Sequence, residues 1–249
     1  VLANKLNLES EKGTALNNIG EVLSISGNIP EAISKHEQAL QIFNSINHKS
    51  GIANTYKLLG FSYYNISDFQ KSVECYNYAL VIFQNLNDEH SVAIIYNHLG
   101  NVYGTIGDND SALKNFNKSL TFSQGVGDSS RAAVNLGNIG LIYFNKKDYN
   151  KAIKNYLNAL KVFKALRQEL NYSTYLGNAG LAYIELDNFS KAQSFFYEAL
   201  ALSKKLNDGY GIAFQYANLG MLHYKLALQK NYSETKKMGH LNRSVTYYN

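Results

Sequence analysis

The chain has 249 residues and a formal net charge of +5, with 24 Lys and Arg against 19 Asp and Glu. One proline in a sequence that is 45% apolar excludes a disordered chain and argues against a β-rich fold, which needs frequent turn punctuation. Cys75 is the single cysteine, so no intrachain disulfide forms, and a reducing, cytoplasmic compartment is expected. No apolar run is long enough to cross a bilayer and no signal peptide is visible, so membrane insertion is not expected. Lysines such as Lys35, Lys71, Lys114, Lys154 and Lys191 are interleaved with Glu31, Glu37 and Glu74. That is a solvated face rather than the continuous basic stripe of a nucleic-acid binder.

In chain order, residues 1–10 come first. Val1 to Asn7 (VLANKLN) align with Ala201 to Asn207 (ALSKKLN), so this stretch is expected to close the second helix of a preceding, truncated repeat. With no initiator Met either, the residues are expected to be a segment of a longer protein. Six repeats follow, at 11–50, 51–90, 91–130, 131–170, 171–210 and 211–249. They are set by Gly20, Gly60, Gly100, Gly140, Gly180 and Gly220, which fall at intervals of forty. A period in this range means stacked units, each unable to bury its apolar face alone.

Each repeat reads as a helical hairpin. Around each glycine an apolar stripe recurs at helical offsets: Tyr56, Leu59 and Tyr63, for example, or Leu136, Ile139 and Tyr143. Glycine there costs about 1 kcal/mol of helix propensity relative to Ala, a loss that close approach of a neighbouring helix offsets. A second helix carries small residues at Ala32, Ser72, Ala112, Ala152 and Ala192, and again at Ala39, Ala79, Ser119, Ala159 and Ala199. Between them stand His36, Tyr76, Phe116, Tyr156 and Phe196. Asn28, Asp68, Asp108, Asp148 and Asn188 are placed as N-caps, and Pro30 suits a first turn. Both helices are expected to run about sixteen to eighteen residues. The last repeat is expected to be degenerate, with an insertion, because Tyr232 falls late and the alanine pattern dissolves after Thr235.

The residues Tyr56, Leu59, Gly60, Tyr63, Ser72 and Tyr76, and again Leu136, Ile139, Gly140, Tyr143, Ala152 and Tyr156, follow W-x2-L-G-x2-Y and A-x3-F. On these the chain resembles the tetratricopeptide repeat family over essentially its whole length. Two departures stand out: a period of forty instead of 34, and no closing proline. Both suggest a longer second helix and a longer inter-repeat loop. In this the chain is similar to LGN/Pins-type scaffolds, through His36-Glu37-Gln38-Ala39-Leu40, and to tetratricopeptide sensor regions of bacterial signalling proteins. The resemblance implies an all-α, right-handed superhelical solenoid whose first helices line a concave groove for extended or helical peptides.

Catalytic chemistry is not in view. His36 sits at a core aromatic position, and His48, His90, His98, His223 and His240 show no metal-ligand spacing. Cys75 lies among apolar and aromatic residues and reads as inert. Gly125-Val126-Gly127 precedes no phosphate-binding helix of the strand–loop–helix type. No cofactor or metal is implied, and the chain is not expected to be an enzyme. The groove stripe should hold Asn17, Asn18, Lys57, Phe61, Asn97, His98, Asn101, Asn138, Leu141, Asn178, Leu181 and Asn218. Asparagine is a poor helix former, and its amide offers both a donor and an acceptor. A row of amides suits the backbone of a bound peptide; bridging between neighbouring helices is the competing role. The expected partner is another protein, bound through an extended or helical segment. Two alternatives stand beside this scaffold reading: a regulatory or sensory segment of a larger signalling enzyme, and a structural subunit of a large assembly.

Overall fold

A computed structural model describes residues 2–248, with side chains from residue 6 to residue 247. Val1 and Asn249, at the ends of the first and last expected elements, lie outside the described residues. The described residues form twelve helices and no strand. They are α1 (Leu2–Ile25), α2 (Ile29–Ser45), α3 (Lys49–Asn65), α4 (Phe69–Asn85), α5 (Glu89–Thr105), α6 (Asn109–Gly125), α7 (Ser129–Asn145), α8 (Tyr149–Ala165), α9 (Glu169–Glu185), α10 (Phe189–Lys205), α11 (Gly209–Ala227) and α12 (Glu234–Tyr248). Two compact units, Val1–Asp128 and Ser129–Asn249, each hold three hairpins. In the first unit α1 packs on α2, α3 on α4 and α5 on α6; in the second α7 packs on α8, α9 on α10 and α11 on α12.

The helices from α2 to α10 are all 17 residues long and begin every 20 residues. Every linker between them has three residues, so the inter-repeat loop is no longer than the loop inside a hairpin. The expectation of a longer inter-repeat loop is corrected: the residues beyond a 34-residue period are helical. The tight reversal has a local cause. The middle residue of each linker takes positive φ, whether it is glycine (Gly27, Gly107, Gly127) or not (Asn47, Ser67, Asn87, Lys147, Arg167, Asp187, Asn207). The next N–H then reaches back to a helix carbonyl, as His48 to Phe43 and Asp148 to Tyr143, each at 2.9 Å. The residue carrying that N–H also caps the following helix. Asp68, Asp108, Asp148 and Asn188 accept from the N–H three residues on. Asn28 instead donates its amide to Glu31 at 2.6 Å. His48 and Asp88 cap α3 and α5 in the same way, a use of those residues that the sequence reading missed.

One helix departs from the expected layout. Leu2–Ile25 runs unbroken for 24 residues, with no turn after Asn7. The alignment with Asn207 breaks down one residue later. Asn207 takes φ 52° and Asp208 stands at the N-cap position of α11 without a side-chain cap hydrogen bond, whereas the counterpart of Asp208 is Leu8, which has no capping group, and Glu9, Ser10, Glu11 and Lys12 continue the helix.

The forty-residue glycines sit where the two helices of a hairpin cross. A Cβ added to Gly60 would lie 2.7 Å from the Tyr76 ring, one on Gly100 2.6 Å from Phe116, and one on Gly180 2.4 Å from Phe196. Ala32, Ala39, Ser72, Ala112, Ala152 and Ala192 on the second helices are completely buried. Ser72 Oγ also donates to the Gly60 carbonyl at 2.7 Å. Successive first helices meet through a second register, three residues before one glycine against five before the next. Asn17 meets Thr55 in this register, Gly137 the ring of Tyr175, and Gly177 Gln215. The last hairpin keeps the crossing with a 19-residue α11, a longer linker at 228–233 and a 15-residue α12. Ser244 Oγ donates to the Gly220 carbonyl at 2.9 Å, but from 24 residues downstream where Ser72 is 12 from Gly60.

Candidate functional site

The glycine-bearing face of the first helices is consumed by packing on the second helices, so the groups open to solvent lie on the opposite edge. In unit 1 this edge forms a cavity of about 260 Å³ between α1 and α3, lined by Thr14, Asn18, Glu21, Asn54, Lys57 and Leu58 among others. Lys57 Nζ donates to Asn54 Oδ1 at 3.1 Å. Phe61, one turn on, is exposed. In unit 2 the same edge carries Asn138 and Leu141 on α7, and Asn178 and Leu181 on α9. Leu141 is exposed; the other three are half-buried. No described residue hydrogen-bonds the side chain of Asn138 or Asn178.

Three of the twelve expected groove residues are buried and hydrogen-bonded within the array, although Asn17 also lines the unit 1 cavity. Asn17 is buried at 6% exposure and belongs to a polar chain that ties α2, α1 and α3 together. Its Nδ2 donates to Thr55 Oγ1 at 2.8 Å, and Thr55 Oγ1 donates to the Gly51 carbonyl at 2.8 Å. Asn17 Oδ1 is therefore the acceptor for His36 Nδ1, 3.1 Å away, which fixes the proton of that ring on Nδ1. Asn97 is buried and accepts from Asn101 Nδ2 at 3.5 Å; Asn218 is buried and donates to Gln215 Oε1 at 3.1 Å. These amides serve the array itself, the competing role for asparagine at these positions. Asn17 meets Thr55 of the neighbouring first helix, a contact that a single-repeat pattern does not reveal, while Asn97 and Asn218 bond to side chains of their own helices. His98 is half-buried with its ring stacked on Tyr76 at 5.1 Å. Asn18 is exposed and Asn101 half-buried.

The groups set aside as structural behave so. His36 is buried at 1% exposure, and burial lowers its pKa to about 4. Cys75 is buried, and desolvation, with Glu74 adding to it, pushes its thiol up to about 11, far from a reactive thiolate. Ser119 is buried with its hydroxyl on the Ala93 carbonyl at 2.7 Å. No described helix is long and apolar enough to cross a membrane.

Helical hairpins that repeat every forty residues and cross at glycine define a helical-repeat scaffold of the class that fits protein–protein interaction. The tetratricopeptide repeat family model matches residues 11–80, 51–124 and 130–205, and the chain belongs to that family. No curated protein matches it in sequence. Among solved structures it is similar to BtubC (BKLC) from P. vanneervenii, at 19% identity and TM-score 0.70, covering 89% of this chain and 88% of that one. It is also similar to the apo form of RapI, at 18% identity and TM-score 0.75, covering 95% and 94%. A third is a signal transduction ATPase with numerous domains, with a tetratricopeptide repeat sensor, from Pyrococcus horikoshii. The identity is 16% and the TM-score 0.81, over 96% of this chain but 36% of that protein. At these identities the likeness shows the fold alone. Tetratricopeptide repeats are generally non-catalytic interaction modules.

Proposed function

We propose that the chain is a non-catalytic protein-binding module that takes an extended or helical segment of a partner protein along the exposed edge of its first helices. One observation carries this reading. Asn138 and Asn178 occupy the same register on successive first helices, half-exposed, with no described residue engaging their amides, whereas Asn17 and Asn97, one position earlier in their repeats, and Asn218, in the same register on α11, are engaged inside the array. Unused amides in a repeating register match the alternating donors and acceptors of a peptide backbone. Leu141 and Leu181, three residues on from each, supply apolar contacts between those amides. In unit 1 the cavity around Asn18, Glu21 and Lys57 carries both charge signs, which suits a polar segment with no strong net charge.

The test is a peptide selected for binding to the whole chain, titrated against Asn138→Ala/Asn178→Ala. Loss of two hydrogen-bonding groups predicts affinity weaker by roughly tenfold or more, with the melting curve unchanged. Equal affinity in the double variant would remove the amides from the binding role.

A regulatory reading has one observation in its favour: the structural likeness to the sensor-bearing ATPase, of which this chain spans about a third. On that reading the same groove binds its segment, and occupancy is transmitted to another module of a longer polypeptide.

A further inference from the structure

The largest cluster of polar groups outside the groove lies at the last hairpin. A cavity of about 640 Å³ opens between the start of α10 and the facing sides of α11 and α12. On α12, Lys236, His240 and Arg243 follow one another at helical spacing, which places them on one face. All three line the cavity, together with His223 from α11.

The site is built on stacked rings. His240 Nδ1 meets His223 Nδ1 at 2.9 Å, with ring centroids 5.2 Å apart. Tyr232 stacks on His240 at 5.6 Å, and Tyr247 on His223 at 5.6 Å. Lys236 Nζ stands 3.5 Å from the centre of the Tyr232 ring. His223 is 2% exposed, so one member of the pair is fixed in the core while His240 reaches the cavity.

The charges around these rings are unbalanced. Neither Lys236 nor Arg243 makes an ion pair with a described residue. Glu234, the one acid on α12, is held by Lys237 at 2.8 Å. Asp187 is the one carboxylate among the lining residues. Both imidazoles feel the excess. Burial lowers the pKa of each; His240 and Arg243 add to the effect on His223, and Arg243 and Lys236 to that on His240. Ser190, in the first turn of α10, brings the positive end of that helix to the rim. The remaining wall is apolar, from Phe189 and Leu226.

We propose that this cavity binds the dianion of a small phosphate monoester, held by Arg243 and Lys236, with the ester's organic group against Phe189, Leu226 and Tyr232. A carboxylate satisfies one cation and leaves the other unmatched. A phosphate offers two charges and three acceptor oxygens, and suits the planar fork of Arg243 beside a point charge on Lys236. The bound dianion also reverses the local field, so His240 gains a proton more readily when the site is filled. This site is separate from the first-helix groove and does not depend on the peptide-binding reading.

The test is a histidine-resolved NMR titration of the whole chain near neutral pH, using phenyl phosphate, benzoate and a phosphotyrosine-containing pentapeptide at constant ionic strength. A saturable shift of the His223 and His240 ring protons with phenyl phosphate is expected, with benzoate weaker by about tenfold or more. Arg243→Gln and Lys236→Gln, both at exposed positions, should each weaken phenyl phosphate by about tenfold. Tighter binding of the pentapeptide than of phenyl phosphate identifies a phosphorylated chain as the source of the group; equal or weaker binding identifies a free small molecule. Three results would overturn the proposal: no saturable shift with either phosphate, benzoate binding as well as phenyl phosphate, or wild-type affinity in Arg243→Gln. The first and second are read on the unaltered protein and so do not depend on how the variants fold.

Discussion

Acid should loosen unit 1 through one imidazole. His36 is held neutral in the core, its pKa lowered to about 4 by burial, while an unfolded histidine titrates near 6.5. Below about pH 6.5 the unfolded chain takes up a proton that the folded chain refuses, so stability falls as pH falls, until the folded ring itself titrates near pH 4. The loss comes to about 2 kcal/mol at pH 5 and about 3 kcal/mol at pH 4, relative to neutral pH. His36→Phe provides the control, because Phe116 and Phe196 occupy the same register in repeats three and five. At neutral pH the variant leaves Asn17 Oδ1 without its donor, which costs about 1 kcal/mol. At pH 4 it lacks the histidine penalty and should be more stable than the parent by about 2 kcal/mol. Urea unfolding of the two chains across this range, with amide exchange in α1 to α3 as the local probe, should therefore give stability curves that cross. Parallel curves, or a His36 ring that titrates near 6.5 in the folded chain, would refute the reasoning.

Three further perturbations probe the frame. Gly140→Arg should destabilise unit 2 by about 3 kcal/mol or more, because a Cβ alone would stand 2.7 Å from the Tyr156 ring and 3.2 Å from the Ala152 carbonyl oxygen; an unchanged melting curve would contradict the crossing. Lys147→Gly should stabilise by about 1 kcal/mol, since Lys147 holds φ 61° in a left-handed linker position; a lower melting temperature would mean that the Lys147 side chain makes a compensating contact. Ser123→Ala should stabilise by about 1 kcal/mol, because its buried hydroxyl has no hydrogen-bond partner, and thermal unfolding measures the sign directly.

The hairpin was legible because its signals are local and repeated. The glycine register, the buried alanines and the caps at Asp68, Asp108, Asp148 and Asn188 all report contacts within one repeat, and six copies make them unmistakable. Two matters were not. The linkers reverse in three residues through left-handed Asn, Ser, Lys, Arg and Asp, where the sequence offers glycine at only three of ten positions, so their tightness was hidden. The contact between neighbouring first helices pairs positions 38 residues apart, as Asn17 with Thr55. A register defined inside one repeat does not show that Asn17 meets Thr55 of the next first helix, nor that Asn218 is buried while Asn138 and Asn178, at the same offset from their glycines, stay half-exposed. The first helix shows the same limit from the other side: an alignment of seven residues suggested a break that the missing cap at Leu8 does not enforce.

The account turns on which edge of the hairpins receives another polypeptide. Hydrogen exchange of the whole chain, with and without a saturating selected peptide, measures that edge directly. The account predicts added protection, in the unit that the peptide occupies, along α7 and α9 around Asn138, Leu141, Asn178 and Leu181, or along α1 and α3 around Asn18 and Lys57. Protection confined to the second helices, such as α8 and α10, would contradict it.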